Sequence, residues 1–553
     1  MYKNLFGIAI LIMAIIFSCT TPESKFESKD GLSSLSAPAL ASRIKTLSSD
    51  EFMGRMPFTE GEKITLNYIV NEFKALGLEP GNRDSYLQEV PMVEIITKAA
   101  PSMDVTGNKT KSSLEGLTDY VIWSQQTDEK VELKNTELVF AGFGIVAPEY
   151  NWNDYEGLDV KDKIVVVMVN DPGFGLGDTT FFKGNTMTYY GRWTYKYEEA
   201  ARQGAKGCLV IHEDVPAGYG FWVVQNNWNT AKLYLDPRGK TEYVCPVVGW
   251  VTQAAARSLF DMAEMDYTSH HVAAHKNGFV GSPMNLKIST SMDVSVRYDK
   301  SYNPIAKITG AKQPDEYIIY TAHWDHLGIG KVDEKGDSIY NGAFDNASGT
   351  AGLLEIAKAF KSMENKPNRT ILFLSVTAEE QGLLGSAYYA QNPIYALDQT
   401  VANINMDGIN PYGKMKDIVS RGTGQSDLED YLKREAEAVG RYVSPEPNPV
   451  AGYYFRSDHF NFAKVGVPAL YTATGTDHAE KGNEFGKQLQ DEYVVKYYHK
   501  PSDEFDPARW NLDGAVEDLS LLFQVGKRLS FEVTWPQWKA TSEFKPIRDA
   551  YMN

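Results

Sequence analysis

Cysteine is scarce in this chain, with three in 553 residues and no Cys-x-x-Cys pair. That excludes thiolate-rich metal sites, so any bound metal has to be held by histidine and carboxylate. Cys208 and Cys245 could form a disulfide or stand as two buried thiols. Basic residues are outnumbered, 55 Lys and Arg against 72 Asp and Glu, for a formal net charge of -17. A nucleic-acid partner is excluded on that ground, since phosphate binding needs a basic surface. Internal repeats and low-complexity tracts are missing too, which removes solenoids and arrays. Nor does any apolar run reach the ~20 residues of a membrane-spanning helix.

What is present is an ordinary globular composition, 43% hydrophobic, in a chain too long for one core. Two domains are expected. Lys3 followed by an apolar run from Leu5 to Phe17 has the layout of a secretory signal. The run ends at Ile16-Phe17-Ser18-Cys19, which resembles a bacterial lipobox, and that resemblance implies a lipid on Cys19 and a periplasmic or outer-membrane location. A polar stretch, residues 20–38, reads as a tether between that anchor and the folded protein.

The reading beyond it is α/β. Apolar residues at helical spacing between Glu60 and Leu78 mark an amphipathic helix closed by Gly77 and Pro80. Residues 39–116 are taken as the first segment of one domain. From 117 to 284 short apolar runs alternate with Gly, Asp, Asn and Pro, the texture of a mostly β domain. Within it, Glu198 to Gly204 reads as a helix feeding a strand at Cys208–Ile211. Residues 285–553 return to alternating strands and helices, which predicts a doubly wound sheet with ligands beyond the carboxyl ends of its strands.

Three of those strands end on metal-competent side chains: His323 and Asp325, Glu379 and Glu380, and Asp407. A fourth carboxylate, Asp345, lies in a glycine-containing loop, Asn341–Gly349, ahead of a helix. Singly, each has a plainer explanation: a surface histidine, a solvated helix start, a turn, a helix cap. Jointly, and in this order, they fit paired divalent ions with mixed nitrogen and oxygen ligands, His323, Asp345, Glu380, Asp407 and His499. Asp345 has two oxygens to share and is the natural bridge. Glu379 is placed to carry a proton as general base, and Asp325 to accept the second imidazole N–H of His323. The histidines at 270, 271 and 275 lack carboxylate spacing and read as surface residues, and His459 and His478 as structural ones.

Residues 303 to 506 resemble peptidase family M28, the two-zinc aminopeptidases that include bacterial leucyl aminopeptidases and glutamate carboxypeptidases. The matching stretches are His323-x-Asp325, Asp345-Asn-Ala-Ser-Gly, Glu379-Glu380, Asn405-Met-Asp407-Gly and His499-Lys-Pro-Ser-Asp503. The resemblance implies one zinc on His323, Asp407 and Asp345, a second on Glu380, His499 and Asp345, Glu379 as base, and peptides as substrates. It also implies a tyrosine steadying the oxyanion, matched to Tyr454, with adjacent Tyr453 as the alternative for that position. The β-rich region resembles the protease-associated domain that several members carry inserted, on Val139–Ile145, Asp162–Met168 and Ala201–Gly207. An aminopeptidase is the first expectation; a single-zinc glutaminyl cyclase and a non-catalytic receptor-like binding protein are the alternatives.

Overall fold

The computed structural model describes residues 30–552. The expected signal, the lipobox cysteine and the start of the tether therefore lie outside the described residues. The rest of the tether is already folded: Leu35 is buried, and the Ser36 N–H donates to Glu355 Oε2 at 3.1 Å. Ordered structure thus precedes the expected start at residue 39. Among the described residues, no helix is long and apolar enough to cross a membrane.

The carboxyl-terminal part forms a mixed sheet whose centre is parallel. Strand Gln313–His323 lies between Arg369–Val376 and Thr400–Asn405, parallel to both. Ala469–Thr474 continues the parallel set beside Thr400–Asn405, and the end of a long strand, Ser282–Ile308, closes the other side antiparallel to Arg369–Val376. Each central strand is apolar on both faces because each face carries helices. On one side Ile318 and Tyr320 pack under helices Gly349–Lys361 and Asp513–Phe531, together with the amino-terminal helices Ala37–Leu47 and Glu60–Ala75. Phe360 and Phe523 meet there edge-to-face at 4.8 Å, a pair contributing about 1 kcal/mol beyond its buried area. On the other side Ile319, Leu372 and Leu374 pack against Tyr389 and Phe462. Helix Glu60–Ala75 runs where the sequence places it.

The β-rich region is a second layer with its own core. Its limits differ from the expected 117 and 284. Strand Leu87–Ala99 already belongs to it, pairing residue for residue with the long strand over 292–304, while Ser282–Ile308 runs without a break from this layer into the first. The boundary is a continuous two-stranded ribbon, with no linker for composition to reveal. Three strands inside the layer, Ile164–Met168, Gly207–His212 and Val247–Thr252, are parallel, with helix Trp193–Arg202 feeding the middle one. This is the helix-then-strand unit expected there, its helix beginning five residues early at Trp193. Cys208 and Cys245 are free and buried.

Candidate metal centre

The site is built by strand register. His323 pairs with Val376 and Thr321 with Asn405, so the three central strands end level. Hydrogen bonds extend the alignment one residue further, from Trp324 N–H to Val376 O at 3.0 Å and from Met406 N–H to Thr321 O at 2.9 Å. The side chains that follow, His323, Glu379, Glu380 and Asp407, therefore converge above one sheet edge. Asp345 arrives on a loop that Asn346 pins across to them. The Asn346 side chain accepts from Gly349 and Gly408 N–H at 2.9 and 3.0 Å and donates to Met406 O at 3.0 Å. Gly349 has to be glycine: a Cβ there would sit 2.2 Å from Asn346 Oδ1. His499 closes the site from beyond helix Gly482–Lys496, in a left-handed conformation at φ 54°.

Asp345 stands between two groups. Its Oδ1 is 3.3 Å from His323 Nε2, and its Oδ2 is 3.3 Å from His499 Nε2. His323 Nε2 also meets Asp407 Oδ1 at 3.3 Å, and His499 Nε2 meets Glu380 Oε2 at 3.1 Å. Donor atoms of His323, Glu379 and Asp407 lie within 4.8 Å of one another, as do those of His326, Asp345 and Glu380. His323 is buried, whereas the His499 side chain is 35% exposed, so the cluster opens toward solvent on that side.

The supporting contacts are as specific. His323 Nδ1 faces the Asp325 backbone carbonyl at 3.1 Å, nearer than the Asp325 carboxylate at 3.7 Å. Asp325 thus orients the imidazole mainly through its main chain. Its carboxylate accepts instead from the N–H of Glu379 and of Glu380, at 3.0 and 3.3 Å. Asp503 does the same for the bridging loop, accepting from Phe344 and Asp345 N–H, each at 3.1 Å. Arg55, fully buried, donates to the carbonyls of Trp324, Asn341 and Gly342 at 2.9, 2.6 and 2.9 Å, and to Leu47 O at 2.6 Å. One guanidinium so ties the His323 loop to the Asp345 loop, with burial lowering its pKa to about 10.

Electrostatically the pocket calls for a cation. Burial pushes Glu379 well above the carboxylate range, with Asp407 and Glu380 adding to the push and His323 opposing it. Asp325 is raised to about 7, first by burial. Against the same burial, the two histidines beside Asp345 hold it well below its ordinary value, and His499 helps keep Glu380 at about 2. Four carboxylates and two imidazoles sharing one buried space, one carboxylate spanning both histidines, is a donor set that suits two divalent ions. Zinc fits this nitrogen and oxygen chemistry.

Tyr454 is not brought to the cluster. Its short 3-10 turn, Tyr453–Phe455, packs it against His459 and Phe544, with its hydroxyl buried and without a partner. The charges acting on it are those of Glu543 and Glu429. Two other tyrosines are coupled to the cluster: Tyr471, on whose hydroxyl the charges of Asp407, Glu379 and Asp345 act, and Tyr498, whose ring stacks on His499 at 3.9 Å. His326, 2.6 Å from Glu380, is a further neighbour that the strand-end pattern did not single out. His459 is buried between the Tyr454 and Tyr471 rings, 4.7 Å from each.

Residues 303–524 match the family model described as Peptidase family M28. All five expected ligands and Glu379 fall inside that segment. Among curated proteins, a "Probable zinc metalloprotease" of Pyrenophora tritici-repentis (strain Pt-1C-BFP) is 39% identical over 103 residues, 19% of this chain and 23% of that protein. "Aminopeptidase NAALADL1" of Mus musculus is 36% identical over 136 residues, 24% of this chain and 16% of that protein. The chain therefore spans less than a quarter of either relative. Among solved structures, an aminopeptidase from Aneurinibacillus sp. strain AM-1 aligns with a TM-score of 0.48 at 18% identity, covering 92% of this chain and 97% of that one. The match to Peptidase family M28 is thus confined to segment 303–524, which holds the whole donor cluster.

Proposed function

We propose that this chain, carrying its M28 segment behind a β-rich layer, is a zinc exopeptidase that removes amino-terminal residues from peptides. The observation that carries the reading is Asp345, one oxygen 3.3 Å from His323 and the other 3.3 Å from His499. Zinc would be held by His323, Asp407 and Asp345 on one side and by Glu380, His499 and Asp345 on the other. When bound, such ions polarise a carbonyl and acidify water.

The chain's own groups do the rest. Glu379 takes the proton of the attacking water and returns it to the departing amine. Its backbone is held by Asp325, which keeps the carboxylate facing Asp407 and His323. To the hydroxyls of Tyr471 and Tyr498, on which the charges of Asp345 and Glu379 act, we assign donation to the developing oxyanion, the role expected of Tyr454. The resemblance of the β-rich layer to a protease-associated domain supports a part in narrowing the site mouth. The leader-like residues 1–19 support export and lipid anchoring at Cys19.

The test is release of free amino acids from short peptides with free and with acetylated amino termini. An aminopeptidase cleaves the first set and spares the second, and is stopped by a zinc chelator and restored by zinc. Equal cleavage of both sets would contradict the amino-terminal assignment, and chelator-insensitive cleavage would contradict the metal.

A further inference from the structure

The turn that carries Glu379 is short and strained. Between strand Arg369–Val376 and helix Leu384–Gln391 the chain reverses within residues 377–383. Two non-glycine residues there, Ala378 at φ 53° and Leu383 at φ 62°, are in the left-handed region, which L side chains adopt only at a cost. Its own hydrogen bonds close the turn, from Leu384 N–H to Ala378 O at 3.0 Å and from Gly385 N–H to Thr377 O at 2.8 Å.

Beyond those bonds, the two ends of the turn are joined by one side chain from another strand. Asn303 Oδ1 accepts from Thr377 N–H at 3.0 Å, and Asn303 Nδ2 donates to Gly385 O at 3.0 Å. The fit has no slack: a Cβ at Gly385 would sit 2.5 Å from Asn303 Oδ1. Asn303 Nδ2 donates also to Gln88 Oε1 at 3.0 Å, and Gln88 Nε2 donates to Asn392 O, just past the helix, at 3.0 Å. Two residues before Asn303, on the same face of its strand, Ser301 Oγ donates to Glu62 Oε1 at 2.5 Å and meets Thr377 Oγ1 at 2.6 Å. Ser301, Asn303 and Thr377 are fully buried.

Strand Ser282–Ile308, which carries Ser301 and Asn303, is the one that runs from the β-rich layer into the parallel sheet. Ser301 pairs there with Val90, and Asn303 with Gln88. Val90 and Met92 of that partner strand, with Leu233 of the adjoining Ala231–Leu235, pack with Ala378 and Leu384, which flank Glu379 in the turn. The turn therefore rests, by hydrogen bond and by apolar contact, on the ribbon that joins the two layers. An amide suits the post. Thr377 offers a donor and Gly385 an acceptor side by side, and one planar group meets both.

We propose that Asn303, aided by Ser301, is a positioning residue for the base Glu379, so that the β-rich layer acts on the chemical step through the ribbon. This rests on the peptidase reading above. Asn303 works through Thr377 and Gly385, and none of its hydrogen bonds goes to a metal donor. Loss of the clamp misplaces Glu379 while zinc stays bound, since His323, Asp345, Asp407 and His499 come from other segments.

The test uses the full chain, loaded with zinc, and a dipeptide amide with a free amino terminus. Asn303→Leu is expected to lower kcat roughly 10- to 100-fold, as an ångström-scale misplacement does, with KM within about twofold and the zinc content of wild type. A merely structural residue would instead lower Tm and zinc content and leave kcat per zinc-loaded molecule unchanged, and that result would overturn the proposal. Should Asn303→Leu not fold, Ser301→Ala decides. A kcat lower by about threefold or more at unchanged KM supports the clamp, and a wild-type kcat ends it.

A second readout needs no turnover. Hydrogen exchange at the amides of residues 382–385 should quicken in Asn303→Leu, with those of strand Arg369–Val376 unchanged. Unaltered exchange in the turn beside a lowered kcat would reject the clamp. Wild type that cleaves no peptide would reject the peptidase reading itself, and a faster-exchanging turn in the variant would then make Asn303 a structural tie alone.

Discussion

The N–H of Glu379 donates to the carboxylate of Asp325 at 3.0 Å, although 54 residues separate them in the chain. Asp325 thereby holds the proposed base by its backbone while the same residue's carbonyl faces His323. Replacing Asp325 with Ala is expected to lower kcat/KM and zinc affinity by about 10- to 100-fold, the usual cost of removing a group that orients metal ligands. Asp325→Asn, which keeps an accepting oxygen, should lose less. Equal activity in all three proteins, measured by peptide hydrolysis, would show that this cap is dispensable.

Arg55 makes a structural prediction. Arg55→Met leaves the carbonyls of Leu47, Trp324, Asn341 and Gly342 without their donor. A loss on the order of 3 kcal/mol or more is expected from unpaired buried groups, read as a lower urea midpoint. Zinc affinity should fall with it, because the loops bearing His323 and Asp345 lose their common tie. An unchanged midpoint would mean that water replaces the guanidinium.

Tyr454 and Tyr498 can be separated by removing one hydroxyl at a time. Tyr454→Phe should leave kcat/KM within about twofold, since its hydroxyl has no partner and the charges acting on it are those of Glu543 and Glu429. Tyr498→Phe should cost roughly 10- to 100-fold in kcat if that hydroxyl stabilises the oxyanion. Hydrolysis rates reversed between the two variants would return the role to Tyr454.

Acid stability carries the mark of His459. Burial lowers its pKa to about 3 in the folded protein, against about 6.5 unfolded. Between those values the unfolded chain binds a proton that the folded chain does not. Stability is therefore complete above about pH 6.5 and falls as the pH drops toward 3, by up to ~1.4 kcal/mol per pH unit from this group. His459→Phe should flatten that part of the curve of urea midpoint against pH. Parallel curves for the two proteins would show the histidine to be charged or exposed.

The legible part of the site was local. His323, Glu380 and Asp407 end or follow short apolar strands and Asp345 sits in a glycine loop, and parallel register brings such ends together whatever lies between them, whereas His499 comes from beyond a helix. Sheet and helices were legible for the same reason, as with Ile318 and Ile319 facing opposite cores. Arg55 was not, because its partners are backbone carbonyls near residues 47, 324 and 342, and carbonyls carry no sequence signal. The hydroxyl direction of Tyr454 depends on one 3-10 turn packing against Phe544, which adjacent tyrosines cannot announce. The layer boundary was hidden because Leu87–Ala99 and Ser282–Ile308 pass through it as continuous strands.

The central claim is a paired zinc site bridged by Asp345, and elemental analysis of zinc-reconstituted protein tests it most directly. Wild type and Glu379→Gln should each retain two zinc ions per chain, with hydrolysis lost in the variant, while Asp345→Ala should retain fewer than two. One zinc in wild type, or two zinc ions held undiminished by Asp345→Ala, would contradict the account.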